Sequence, residues 1–186
     1  MYVDDIIVIG DDTNEIVALK QRLKEEFVIK DLGTMKYFLE MEVARSKEGI
    51  VISQRKYTLD LLKDTRMLAC KSRQTPRERN WKYMKKDDDP PVDKERYQRL
   101  VRRLIYPSLT RPDIPYLVSI ISQIIHAPTQ QHLTVVFHIL GYLNGTPGKG
   151  LLFQNTDERG AEGFSNADWA GLVIDSRSTS GFCTKL

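Results

Sequence analysis

The sequence has few cysteines, few histidines and no long apolar run. Its 186 residues include three histidines and two cysteines, Cys70 and Cys183. Cysteines this far apart have no metal-ligand spacing and form no disulfide framework, which fits a reducing, intracellular compartment. No apolar run approaches the ~20 residues of a membrane span, and no signal peptide is visible. Neither membrane insertion nor secretion is therefore predicted.

The excess of positive charge is small and unevenly distributed. The chain has 28 Lys and Arg against 25 Asp and Glu, a net charge of +3. Residues 63–103 hold 14 basic and 7 acidic side chains. This asymmetry suits a surface that follows a phosphate backbone, and a solvated basic face explains it equally well.

Two adjacent carboxylates, Asp4 and Asp5, stand directly before the β-branched run Ile6–Ile9. The run predicts a buried strand that ends in a turn at Gly10. Adjacent charges at the mouth of a buried strand are costly unless a cation pairs with them, and carboxylate oxygens suit a divalent cation. Alternatively, the Asp-Asp pair is part of an acidic turn that binds no metal and has no catalytic role.

Periodic patterns in the first third predict one helix and a hairpin. Asp12, with Glu15 three residues on, resembles a helix start, and apolar residues at helical spacing continue the helix to about Lys30. Two strand-like runs follow, Met35–Ala44 and Gly49–Ser53, and the polar residues between them predict a hairpin.

The middle of the chain is predicted to be helical. A helix that starts at Tyr57 ends before Cys70, and a polar, proline-containing linker occupies residues 72–92. Pro107 and Pro115 lie in the region where helices are predicted. Each would destabilise a helix by ~3 kcal/mol if it lay in the helix interior rather than in the first turn. Three apolar stripes predict amphipathic helices that pack on one another, the last between Thr129 as cap and Gly145 as stop: Tyr97, Leu100, Val101, Leu104 and Ile105; Ile114, Leu117, Val118, Ile121 and Ile125; Leu133, Val136, Phe137 and Leu140.

Two further groups of polar residues are interpreted as having no catalytic or metal-binding role. Asp87–Asp89 is a solvated acidic run at the tip of the linker rather than a metal cluster. His126, His132 and His138 are six residues apart each time, which keeps them off a common helical face. They are interpreted as ordinary surface or core histidines.

Several motifs in fixed order identify a family. Residues Tyr2–Asp5, Lys30–Gly33, Ser53–Tyr57 and Thr110–Ile114 follow one another with spacing that resembles the reverse transcriptase of copia-type long-terminal-repeat retrotransposons. The resemblance runs along essentially the whole chain. It implies an α+β fold with a partial reverse-transcriptase palm, a helical thumb and connection, and the first strands of a ribonuclease H-like domain.

The resemblance also implies roles for individual residues. Asp4 and Asp5 would be catalytic ligands of two Mg²⁺ ions, which serve two-metal nucleotidyl transfer, and Tyr2 would lie near the primer terminus. The implied partners are an RNA template–DNA primer duplex and deoxynucleotides. Primer–template binding is assigned to Tyr2 and to basic residues of the 63–103 region, namely Arg99, Arg102 and Arg103.

The implied domain division has three parts. Residues 1–56 are a partial palm with a primer-grip-like hairpin, residues 57–149 the thumb and connection, and residues 150–186 the start of ribonuclease H. The third palm carboxylate of the family lies upstream of the Tyr-Val-Asp-Asp motif, and nothing precedes Met1 here. We therefore expect the fingers and half of the palm to be absent.

Some residues depart from the family pattern. Glu40 stands where the family has Gly, and a carboxylate there would repel phosphate. Gly141 and Asn144 replace basic residues, which lowers the positive charge near the template. Asn166 stands where the ribonuclease H site has its first aspartate, and Asp168 lies two residues on. This degenerate site predicts no ribonuclease H activity, because an amide does not replace a carboxylate as a magnesium ligand.

Three functional hypotheses remain open at the level of sequence. The chain is a piece of a working RNA-directed DNA polymerase, or an inactive fragment of one, or a non-catalytic nucleic-acid-binding remnant. We favour an inactive fragment for the isolated chain, with polymerase activity as the inherited function.

Overall fold

In a computed structural model of the chain, the structure describes residues 6–78, 89–155, 162–167 and 180–185. The chain divides into two compact units, Met1–Met35 and Lys36–Leu186. Helices and antiparallel strands occur together, so the predicted α+β class is confirmed.

The N-terminal unit contains the helix α1 (Thr13–Glu26). Asp12 caps it, since its carboxylate accepts hydrogen bonds from the backbone amides of Asn14 (2.8 Å) and Glu15 (3.1 Å). The predicted N-cap is therefore confirmed. The helix ends four residues earlier than predicted, because Phe27 already has extended backbone angles (φ −133°, ψ 148°).

The strand predicted at Ile6–Ile9 is not formed. Residues 6–10 have no regular secondary structure, and the side chain of Ile9 is 91% exposed. The backbone amides and carbonyls of a strand need hydrogen-bond partners on a neighbouring strand. No strand in the described part of the chain pairs with this segment. The prediction of a buried strand here is therefore wrong.

The C-terminal unit contains a four-stranded antiparallel sheet. The chain builds three neighbouring strands in succession and adds the fourth only after residue 149. Ser53 of the third strand lies opposite Gly150 of the fourth. In spatial order the strands are β1 (Tyr37–Phe38), β2 (Met41–Arg45), β3 (Gly49–Ser53) and β4 (Gly150–Gln154).

The predicted strand Met35–Ala44 is in fact a tight hairpin. Phe38 pairs with Met41, so that Leu39 and Glu40 alone form the turn between β1 and β2. Both turn residues have left-handed backbone angles (φ 45° and 60°). Two-residue hairpin turns need positive φ because only that twist matches the flanking strands. The single-strand prediction is wrong, whereas the hairpin of β2 and β3 is confirmed.

Four helices pack together to form the core of this unit. The first contacts β2, and the others follow the apolar stripes predicted from sequence. No helix in the described ranges is long and apolar enough to cross a membrane. The helices are α2 (Arg55–Asp64), α3 (Lys94–Ile105), α4 (Pro115–Gln123) and α5 (Gln130–Gly145).

The two prolines that opposed the helical prediction lie where they cost little. Pro115 is the first residue of α4, where the missing amide has no helical partner to lose. Pro107 follows the end of α3 and begins a short 3₁₀ turn, Pro107–Leu109. Thr129 and Gly145 bound α5 as predicted.

Part of the predicted linker packs along α5. The backbone amide of Arg73 donates to the carbonyl of Gly141 (3.1 Å), and the side-chain amide of Asn144 donates to the carbonyl of Cys70 (3.0 Å). A Cβ atom at Gly141 would lie 3.1 Å from Cγ of Arg73. Gly141 and Asn144 therefore bind the segment 70–78 against the helix, a contact that the sequence analysis missed.

The last two strands form a separate antiparallel pair. β5 (Glu162–Ala167) pairs with β6 (Ser180–Lys185), and Asn166 lies opposite Gly181. The short strands predicted after residue 150 are confirmed. Their grouping differs, however, because β4 pairs with β3 in the larger sheet.

Candidate functional site

The predicted metal site falls outside the described residues, as do Tyr2, Asp4, Asp5 and Asp168. In the ranges that the structure describes, no three His, Cys, Asp or Glu side chains are grouped so that they could hold a metal ion. The candidate site that can be built from coordinates is the basic helix α3.

One face of α3 is buried and the opposite face is basic. Asp93 caps the helix by accepting from the backbone amide of Arg96 (3.1 Å). The hydroxyl of Tyr97 donates to the carbonyl of Ile121 in α4 (2.8 Å), which fixes the rotation of α3 about its axis. Arg99 and Arg102 are exposed as a result. The buried face consists of Tyr97, Leu100, Val101 and Leu104.

Arg103, the third predicted arginine, is already engaged. Its guanidinium lies 2.9 Å from the carboxylate of Asp64 at the end of α2. The hydroxyl of Tyr57 donates to the backbone carbonyl of Arg103 (3.0 Å). Arg103 therefore ties α3 to α2, and its charge is partly neutralised before any ligand arrives.

Charged residues of both signs lie near the start of the same helix. Arg96 is exposed, and its guanidinium carbon lies 5.8 Å from the ring centroid of Phe137 in α5. Glu95 is the acidic residue of the first turn. The basic character of the face is therefore strongest from Arg99 onward.

An aromatic cluster follows the basic face at the C-terminal end of α3. The hydroxyl of Tyr106 donates a hydrogen bond to the backbone carbonyl of Leu39, at the β1–β2 turn. The rings of Tyr57 and Tyr106 meet edge to face, with centroids 5.1 Å apart. The sequence analysis missed this cluster, although a tyrosine four residues after Arg102 is placed on the same helical face.

The β1–β2 turn carries a carboxylate. The hydroxyl of Tyr37 donates to Glu40 (2.7 Å). This hydrogen bond, together with burial and nearby carboxylates, raises the pKa of Tyr37 to about 12. The ammonium of Lys56 lies 5.6 Å from the centroid of the Tyr37 ring. Glu40, which stands where the family has Gly, therefore has a hydrogen-bond partner, Tyr37, within the same hairpin.

Arg111 lies in a buried hydrogen-bonded cluster rather than at an exposed site. Arg111 makes two hydrogen bonds to Asp113 (3.0 and 2.9 Å) and a third to the backbone carbonyl of Thr146 (2.8 Å). The hydroxyl of Tyr142 also donates to Asp113. Burial raises the pKa of Asp113, but the donors Arg111 and Tyr142 outweigh it, so the pKa lies below its usual value.

A buried pair joins two of the motifs that identified the family. The hydroxyl of Thr110 donates to the side-chain carbonyl of Gln54 (2.8 Å), and both residues are almost completely buried. The segments Ser53–Tyr57 and Thr110–Ile114 are therefore in direct contact.

Comparison with known proteins extends these observations. The family described as reverse transcriptase (RNA-dependent DNA polymerase) matches residues 1–79. The retrovirus-related Pol polyprotein from transposon RE1 of Arabidopsis thaliana is 37% identical over the whole chain. That from transposon TNT 1-94 of Nicotiana tabacum is 32% identical over 98% of the chain.

The lengths of these relatives differ greatly. The chain spans 13% of the RE1 polyprotein and 14% of the TNT 1-94 polyprotein. An uncharacterized mitochondrial protein of Arabidopsis thaliana is 35% identical over the whole chain, which covers 77% of that protein. No solved structure matches the chain.

Proposed function

Because this chain belongs to the reverse transcriptase family of copia-type retrotransposon Pol polyproteins, we propose that it contributes two metal ligands and a duplex-binding surface to an RNA-directed DNA polymerase. The proposed partners are an RNA template–DNA primer duplex and deoxynucleotides. The observation that carries the duplex-binding surface is the exposure of Arg99 and Arg102 on α3, opposite a fully packed face.

The proposed metal ligands are Asp4 and Asp5. Reverse transcriptases use divalent metal ions, and carboxylate oxygens are the donors that Mg²⁺ prefers. A bound Mg²⁺ would activate the primer hydroxyl and stabilise the leaving pyrophosphate. Magnesium-dependent primer extension by the isolated chain would contradict the view that these two residues are part of a larger set of ligands.

The proposed subdivision assigns residues 1–56 to a palm, residues 57–149 to a thumb and connection, and residues 150–186 to the start of ribonuclease H. The packed bundle of α2–α5 supports the second part. The strand β4 is an exception to the division, since it pairs with β3 of the first part. Asn166 supports the loss of ribonuclease H activity, because it supplies an amide at the position of the family's first carboxylate.

Duplex binding by α3 has a defined electrostatic origin. Each phosphate that a lysine or arginine neutralises releases a condensed counterion, so that affinity falls with salt by a slope of about 0.9 per contact. Arg99 and Arg102 are exposed and available for such contacts. Arg103 shares its charge with Asp64 and should contribute less.

The experiment measures affinity for an RNA–DNA hybrid as a function of salt. Arg99→Ala and Arg102→Ala should each reduce the slope of log affinity against log salt by about 0.9. Arg103→Ala should reduce it by less. Arg22→Ala, an exposed arginine on α1 in the other unit, is the matched control and should leave the slope unchanged. Equal effects of all four substitutions would contradict a specific surface on α3.

A non-catalytic nucleic-acid-binding remnant is the alternative function, and the exposed Arg99 and Arg102, which need no catalytic group to contact phosphate, are the observation that favours it. The two functions separate when the chain is mixed with the upstream part of a related polymerase. Primer extension that Asp5→Asn abolishes supports a polymerase. Salt-dependent binding without any extension supports the remnant.

A further inference from the structure

We propose that Tyr106 is a positioning residue that holds the β1–β2 turn beside the basic face of α3, so that turn and helix meet the same nucleic-acid strand. This inference rests on the proposed function of α3 and specifies which second element shares its surface. It also assigns to Glu40, at the turn, the role of limiting affinity.

The basic face of α3 leads directly to Tyr106. Arg99, Arg102 and Tyr106 are separated by three and four residues, so they lie on one face of a helix. The backbone of Tyr106 retains helical angles (φ −67°, ψ −46°), which keeps it in line with the arginines. Its hydroxyl then reaches the carbonyl of Leu39. The turn is therefore attached at the end of the basic face.

The ring of Tyr106 is itself held in place. Tyr57 meets it edge to face at 5.1 Å, and the hydroxyl of Tyr57 donates to the carbonyl of Arg103. The ion pair of Arg103 with Asp64 joins the same two helices. Because α2 and α3 are fixed to each other at this point, the hydroxyl of Tyr106 is a rigid anchor for the turn.

The turn needs such an anchor. Leu39 and Glu40 both have left-handed backbone angles, which are strained for residues other than glycine. The side chain of Leu39 is 61% exposed, so apolar burial does little to hold it. Conformations of this kind persist only where surrounding contacts determine them. The hydrogen bond from Tyr106 is such a contact.

The position of the turn has an electrostatic consequence. Glu40 is exposed, and its carboxylate is held by the hydroxyl of Tyr37. A carboxylate on the turn that Tyr106 attaches to the end of α3 repels a phosphate that approaches this end of the helix. If Tyr106 keeps the turn there, removal of the charge of Glu40 should strengthen binding only while Tyr106 retains its hydroxyl.

A double-mutant cycle tests this coupling in the full chain. Affinity for an RNA–DNA hybrid is measured for the unmodified protein, Glu40→Gln, Tyr106→Phe and the double variant. Glu40→Gln should increase affinity about threefold, the effect of one exposed charge. In the Tyr106→Phe background the gain should fall below about 1.5-fold. Tyr116→Phe, which removes a hydroxyl from a half-exposed ring on α4, should preserve the full gain.

A second measurement does not depend on binding. Tyr106→Phe should accelerate amide hydrogen exchange in the β1–β2 hairpin about fivefold, which corresponds to one lost hydrogen bond. Equal gains from Glu40→Gln in both backgrounds, or unchanged exchange in the hairpin, would overturn the role of Tyr106. Binding that ignores Arg99→Ala and Arg102→Ala would instead overturn the proposed function, and this inference with it.

Discussion

Replacement of Asp113 by Asn removes one charge from a pair whose other member is almost completely buried. The side chain of Arg111 is 4% exposed and that of Asp113 is 31% exposed, and their closest atoms are 2.9 Å apart. Breaking a buried pair costs ~3–5 kcal/mol, because the remaining charge is left in a poorly solvated place. Arg111 keeps its bonds to Thr146, so we expect Asp113→Asn to lower the free energy of unfolding by about 3 kcal/mol.

The chain contains a matched control for this substitution. Arg103 and Asp64 form an ion pair with the same 2.9 Å separation, but Asp64 is 59% exposed. Solvated pairs contribute ~0–1 kcal/mol. Urea denaturation followed by circular dichroism should therefore show a loss below about 1 kcal/mol for Asp64→Asn. If the two substitutions cost the same within experimental error, burial does not determine the strength of these pairs.

The same pair predicts a dependence of stability on pH. The pKa of Asp113 is lowered in the folded chain, whereas an unfolded aspartate has a pKa of ~3.9. Between these two pKa values the unfolded state therefore binds more protons than the folded state, so the free energy of unfolding rises with pH. The contribution of Asp113 should be fully present above pH ~4 and be lost as pH falls through its lowered pKa. The difference in stability between the unmodified chain and Asp113→Asn should shrink over that interval, and a constant difference would refute the assignment.

Three further predictions concern stability. Glu40→Gly should stabilise the chain by about 1 kcal/mol, because glycine adopts a positive φ without strain; thermal unfolding measures this gain, and a loss would count against the turn geometry. Tyr97→Phe should destabilise it by about 1–2 kcal/mol in urea, because the buried carbonyl of Ile121 loses its donor; an unchanged midpoint would contradict this bond. Gly49→Ala should prevent β3 and β4 from pairing, because its Cβ would lie 2.0 Å from the carbonyl of Phe153; hydrogen exchange in β4 should then lose protection.

The helices could be predicted because their apolar residues repeat at helical spacing. The stripe from Tyr97 to Leu104 is the buried face of α3, and Asp12 caps α1 as its sequence context indicates. These features depend on neighbours three or four residues apart, which the sequence displays directly. The basic face opposite the stripe follows from the same periodicity.

The missed features depend on contacts between distant residues or on unusual backbone angles. Leu39 and Glu40 form a turn without the glycine or asparagine that normally marks one, so the sequence reads as a continuous strand. The engagement of Arg103 by Asp64 joins residues that lie 39 positions apart. The segment 6–10 shows the opposite error. Its β-branched residues predict a strand, but the sequence does not show whether another strand is available to pair with it.

The pairing of β3 with β4 also affects how the chain folds while it is being synthesised. The ribosome completes Ser53 well before Gly150, and residues 54–149 must emerge in between. At ~5–20 residues per second this takes roughly 5–20 s. During that time the apolar sequence Gly49–Ser53 has an unpaired edge, which other nascent chains can join. Once α5 has emerged, packing of the helical bundle brings the two strand positions together, so it limits how long this edge stays unpaired after synthesis has passed residue 149.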